Sequence, residues 1–134
     1  MLKRDRVSFT CSVLIVEDEP LIAMMLEDFL ETLGHEVAGT CESVAEALEW
    51  VEKGGFDVAI IDVHLKGGEH VWPVADRLAE KNIPFVLATG GHIEPPPEAH
   101  AEVPVLAKPF TMDAIDPVLR QACGEAAEGA DLEE

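Results

Sequence analysis

Val13-Leu-Ile-Val16 running into Glu17-Asp18-Glu19-Pro20, and Val58-Ala-Ile-Ile61 running into Asp62, decide how this chain folds. Each is a short, unbroken apolar run that stops abruptly on acid. Runs of this length without polar alternation are the mark of strands buried on both faces, which belong to parallel sheets covered by helices. A parallel sheet brings both run ends to the same edge. Glu17, Asp18 and Asp62 should therefore meet there as a carboxylate cluster suited to a hard divalent cation.

Outward from these two runs, β-type segments alternate with helical patterns, as βα units do. Leu21, Ile22, Met25, Leu26, Phe29 and Leu33 recur at helical spacing, with Gly34 as the stop. Glu36 to Thr40 reads as a second strand. Ser43-Val-Ala-Glu46 is a capping box opening a helix that ends at Gly54-Gly55. Phe56 to Asp62 is the third strand, Trp72 to Lys81 a helix with Pro73 in its first turn, and Pro84 to Thr89 the fourth strand. Gly90-Gly91 and Pro95-Pro96-Pro97 confine any helix before the fifth strand, Val103 to Ala107, to a short or irregular piece. Thr111 to Ala122 closes the pattern as a helix that carries Pro117.

Right-handed crossovers turn such a series into an α/β, doubly wound, five-stranded parallel sheet with the flavodoxin-like order 2-1-3-4-5. Its switch point lies between strands one and three, and ligands bind beyond the carboxyl ends of strands there. The acids fall at that point. Thr89 ends strand four and Lys108 ends strand five, so a hydroxyl and an ammonium should face the acids. Carboxylates alone suggest a metal; with a lysine and a hydroxyl they suggest a metal beside a phosphoryl group.

The 134 residues fit one domain with a sizeable core. We divide them into an N-terminal extension (1–11), the folded domain (12–124) and an acidic tail (125–134). A formal net charge of −18 disfavours nucleic acid and anionic membranes and leaves another protein as the expected partner. The basic start, Met1 to Arg6, leads into a stretch broken by Ser8, Thr10 and Ser12, unlike a secretory signal, and no apolar run reaches the ~20 residues of a membrane span. Cys11, Cys41 and Cys123 have no metal-type spacing and read as reduced, inert thiols of a soluble cytoplasmic protein.

Taken together, Val13-Leu-Ile-Val-Glu-Asp-Glu-Pro20, Asp57-Val-Ala-Ile-Ile-Asp62, Leu87-Ala-Thr-Gly90 and Lys108-Pro-Phe110 resemble, in order and spacing, the four blocks of the receiver domains of two-component response regulators. The likeness runs from about Ser12 to Cys123. It implies that Asp62 is the phosphoacceptor, that Glu17 and Asp18 are metal acids, that Thr89 and Lys108 contact the phosphoryl group, and that the Lys108-Pro109 bond is cis. It also implies Mg²⁺ as cofactor, with the backbone carbonyl of His64 as a further ligand. The phosphodonor would be a histidine kinase or histidine phosphotransfer protein, and the output a downstream protein partner.

Pro84-Phe-Val-Leu-Ala-Thr-Gly90 is similar to the stand-alone receivers whose fourth strand carries Phe-Ala-Thr-Gly and which act in stress-response phosphorelays. Leu87 replaces the Phe of that motif, and Gly91 the aromatic after its glycine. Glu17 stands where the family usually has aspartate. Val105 occupies the place of the aromatic that swings on activation, so that switch cannot work in its usual form.

Two other functions compete with a phosphoaccepting signalling module. An aspartyl-phosphate phosphatase would need a second acid two residues after the nucleophile, where this chain has His64. A receiver-fold scaffold that is never phosphorylated would not need the full set of site residues. The acid run Glu17 to Glu19 alone reads as a solvated patch as easily as a site; Asp62, Thr89 and Lys108 at matching strand ends favour the site. His64, His70, His92 and His100 form no zinc-ligand pair by spacing and read as loop residues. Trp50 and Trp72 read as helix packing.

Overall fold

The computed structural model describes residues 10–65, 69–90 and 97–123. Five parallel strands, β1 (Ser12–Val16), β2 (Glu36–Cys41), β3 (Val58–Asp62), β4 (Phe85–Thr89) and β5 (Val105–Ala107), form one sheet in the order β2-β1-β3-β4-β5. The helices are α1 (Pro20–Thr32), α2 (Val44–Lys53), α3 (Trp72–Glu80) and α4 (Met112–Cys123). A strand's period of two sends alternate side chains to opposite faces. Val13, Ile15, Val58, Ile60, Val86 and Leu106 thus pack with Leu26 and Leu30 of α1 and Ile115 and Leu119 of α4. Leu14, Val16, Ala59, Ile61 and Leu87 meet Ala47 and Val51 of α2 and Val74 and Leu78 of α3 on the other face. Both faces are covered, which is why the central strands read as unbroken apolar runs.

The helix boundaries follow local chemistry. Ser43 caps α2 by accepting the Glu46 N–H, and Glu46 returns its carboxylate to the Glu42 N–H at 2.8 Å. Gly54, at φ 78°, ends that helix in a conformation that costs a side chain energy. Pro20 and Pro73 sit at helix starts, where no N–H is missed. Gly39 has a steric role: a Cβ there would lie 2.3 Å from Cζ2 of Trp50, so the indole of α2 lies directly on β2. Trp50 also meets Phe56 edge-on.

Three strands start later than expected, β4 by one residue and β3 and β5 by two. β3 starts at Val58 because Phe56 turns aside to Trp50 and Asp57 clasps the start of β1, donating its N–H to Ser12 O and accepting the Ser12 N–H, both at 2.8 Å. β5 starts at Val105 because Pro104 has no N–H to donate, though its carbonyl accepts the Leu87 N–H. Between β4 and β5 the described residues hold a single 3-10 turn, Glu98–His100, in keeping with the proline-rich sequence. The first part of that segment, 91–96, and both chain ends, 1–9 and 124–134, lie outside the described residues. No helix among the described residues is long and apolar enough to cross a membrane.

Candidate functional site

Strand register assembles the site. Val16 pairs with Ile61, Asp62 with Ala88 and Thr89 with Ala107, so the residues just past β1, β3, β4 and β5 form one row at the carboxyl edge. The Lys108 N–H donates to Thr89 O at 2.9 Å and the Glu17 N–H to Cys41 O at 2.9 Å, which continues the pairing one step beyond the strands. The Lys108-Pro109 bond is cis.

Glu17, Asp18 and Asp62 are 2%, 6% and 6% exposed, and each offers an oxygen within 4.8 Å of the others. The Lys108 ammonium lies 3.0 Å from Asp62 Oδ2 and 3.1 Å from Glu17 Oε1. The remaining Asp62 oxygen, Oδ1, accepts the His64 N–H at 3.3 Å, and Glu17 Oε2 accepts the Glu19 N–H at 3.1 Å. Burial, reinforced by the charge of Asp62, pushes the Glu17 carboxyl up from 4.5 to about 6, against the opposing pull of the Glu19 N–H and Lys108. Burial works to lower Lys108, yet Asp62 and Glu17 outweigh it and hold the ammonium above its usual range.

Three buried carboxylates set against one ammonium leave an excess of negative charge in a site made of oxygens. That donor set fits a hard divalent cation such as Mg²⁺ and would suit a soft one poorly. Both oxygens of Glu17 and both of Asp62 already have partners in Lys108 and backbone N–H groups. Thr89 is half-buried at the end of β4, one residue beyond the partner of Asp62.

Several of the contacts that the sequence reading missed involve histidine. His100, expected on a surface loop, is 3% exposed, stacks on Trp72 at 6.0 Å between ring centroids, and bonds Asp76 of α3 through Nε2 at 2.7 Å. His35 is buried as well; its Nε2 meets Asp116 of α4 at 2.7 Å, and its Nδ1 accepts the Cys11 N–H at 3.2 Å. His64 and His70, exposed as expected of loop residues, face each other across an antiparallel bridge. His92 lies outside the described residues. These partners stand up to 81 positions apart, beyond the reach of any spacing rule. Trp72 is a helix-packing residue as expected, and so is Trp50. All three cysteines are thiols, with Cys11 and Cys41 buried.

A parallel 2-1-3-4-5 sheet with this edge defines a receiver-type fold, and residues 13–120 match the response regulator receiver domain family, to which the chain belongs. Among curated proteins it is 34% identical over 116 residues to the phyllosphere-induced regulator PhyR of Methylorubrum extorquens, covering 82% of this chain and 42% of that protein. The chain thus spans less than half the length of that relative. The solution structure of SdrG from Sphingomonas melonis Fr1 is 55% identical, with a TM-score of 0.74, over 84% of this chain and 94% of that one. The anti-anti-sigma factor PhyR from Bartonella quintana is 28% identical, with a TM-score of 0.74, over 97% of this chain and 55% of that one. The chain is therefore a receiver domain similar to those of PhyR and SdrG.

Proposed function

We propose that the chain is a phosphoaccepting response regulator in which Asp62 takes a phosphoryl group from a histidine kinase or histidine phosphotransfer protein. The observation that carries this reading is the position of Lys108: its ammonium touches Asp62 at 3.0 Å and Glu17 at 3.1 Å inside a buried acid cluster. A single cation bridging a nucleophile and a metal acid is where the oxygens of an arriving phosphoryl group need a partner.

An Asp62 carboxylate oxygen attacks phosphorus, the phosphorus–nitrogen bond of a phosphohistidine breaks, and the electron pair leaves with the imidazole. The product on this chain is an acyl phosphate. Lys108 draws one phosphoryl oxygen, the His64 N–H steadies Oδ1, and the Thr89 hydroxyl takes another phosphoryl oxygen as charge builds. Mg²⁺, held by Asp18 and Asp62, with Glu17 and the His64 carbonyl supporting it, would neutralise the meeting of acids and phosphoryl. The acyl phosphate carries roughly 1.5 to 2 negative charges where the carboxylate carried one, at the end of β3 beside that of β4. Movement of Thr89 toward them changes the start of the segment that leads to Glu98–His100, and a downstream protein reads the result.

Similarity to SdrG and PhyR favours a stress-response phosphorelay as the setting and a cytoplasmic location. We read residues 12–124 as the receiver and the flanking residues as extensions of it. The test is phosphotransfer from a panel of histidine kinases and phosphotransfer proteins. Rapid transfer from one donor supports the reading, turnover of small phosphate esters would point to a phosphatase, and an unlabelled chain with every donor would leave a scaffold.

A further inference from the structure

The chain leaving β3 turns back on itself before α3. The Leu65 N–H donates to Glu69 O at 2.9 Å and the Val71 N–H to Val63 O at 3.3 Å, so His64 and His70 stand directly opposite each other. Cross-strand partners in an antiparallel bridge share a face, with Cβ atoms about 4.5–5.5 Å apart. Both histidines are exposed, and their rings lie perpendicular with centroids 5.1 Å apart. Two imidazoles bound to one tetrahedral ion at about 2.0–2.1 Å bring their centroids to about 5.2 Å. The observed centroid separation matches that value.

We propose that His64 and His70 form a two-histidine site for a borderline transition-metal cation, for which Zn²⁺ is the natural probe, with water completing its coordination. The ligand chemistry separates this site from the acid cluster nearby. Imidazole nitrogen suits Zn²⁺ and is a poor ligand for Mg²⁺, whereas the oxygens of Glu17, Asp18 and Asp62 suit Mg²⁺. The cation clips the two sides of the bridge together. It thereby fixes the backbone of His64, whose N–H meets Asp62 Oδ1 at 3.3 Å. The site does not depend on Asp62 ever being phosphorylated.

The experiment is competition for Zn²⁺ between the full chain and a chromogenic chelator, with Mg²⁺ in large excess so that the carboxylates are occupied. His64→Ala and His70→Ala should each weaken Zn²⁺ at least tenfold. Proton NMR of the wild-type chain should show imidazole resonances of both His64 and His70 shifting together as Zn²⁺ is added, a readout that needs no variant to fold. Wild-type affinity in either histidine variant, or imidazole signals unmoved by Zn²⁺, would each overturn the proposal.

Discussion

Neutralising Glu17 should make the metal-free protein more stable. Its carboxyl is displaced from 4.5 to about 6, first by burial and then by Asp62. The folded chain therefore binds this proton more tightly than the unfolded chain does. The resulting stabilisation is complete below pH 4.5 and is lost as pH rises through about 6, where the charged side chain becomes a burden on the fold. Over a displacement of about 1.5 pH units, 1.36 kcal/mol each amounts to about 2 kcal/mol at pH 8. Glutamine mimics the neutral form and can still accept the Glu19 N–H. Glu17→Gln in EDTA should thus gain about 2 kcal/mol in urea unfolding at pH 8, or about 7 °C in melting temperature for a chain of this size. At pH 5 the gain should shrink to about 0.8 kcal/mol, since the wild-type carboxyl is then mostly protonated in the folded state. Saturating Mg²⁺ should narrow the difference by binding the wild type more tightly. A variant less stable than wild type at pH 8 in EDTA, or a gain as large at pH 5, would refute the electrostatic reasoning.

Other expectations follow from the same geometry. Lys108→Ala should slow phosphorylation by acetyl phosphate roughly 100-fold, and should tighten Mg²⁺ binding severalfold because the acids lose their neighbouring cation; stopped-flow fluorescence reads both. Asp18→Asn should weaken Mg²⁺ by roughly tenfold more than Glu17→Gln, because both Glu17 oxygens already have partners in Lys108 and the Glu19 N–H. Isothermal titration with equal losses would reverse that assignment. Under beryllofluoride, hydrogen exchange should change more between Thr89 and Val105 than in α1, with His100→Ala enlarging the response because it cuts the bond to Asp76. Changes confined to α1 would place the output surface elsewhere.

Much of this was legible in the sequence because it depends on local rules. Val13 to Val16 and Val58 to Ile61 read as short apolar strands, and parallel pairing then placed Glu17, Asp18 and Asp62 at one edge. Lys108 and Thr89 could be placed at the same edge because they stand at or just past strand ends. The capping box at Ser43 and the glycine at Gly54 marked α2 to the residue. Most of the failures share one cause, partners distant in sequence. Asp57 looked like part of β3 because nothing local shows that it clasps Ser12. His100 looked like a loop residue because Trp72 and Asp76 lie more than twenty positions upstream. The His64–His70 pairing depends on a reversal of the chain that no periodicity marks.

The central claim is that Asp62 is the group that becomes phosphorylated. Acyl phosphates are reduced by borohydride to a stable alcohol, so the chain should be treated with acetyl phosphate and Mg²⁺, reduced, digested and mapped by peptide mass spectrometry. The account predicts conversion at position 62 in the wild type, no conversion there without Mg²⁺, and no conversion anywhere in Asp62→Asn. Reduction at Glu17 or Asp18, or conversion that persists in Asp62→Asn, would contradict it.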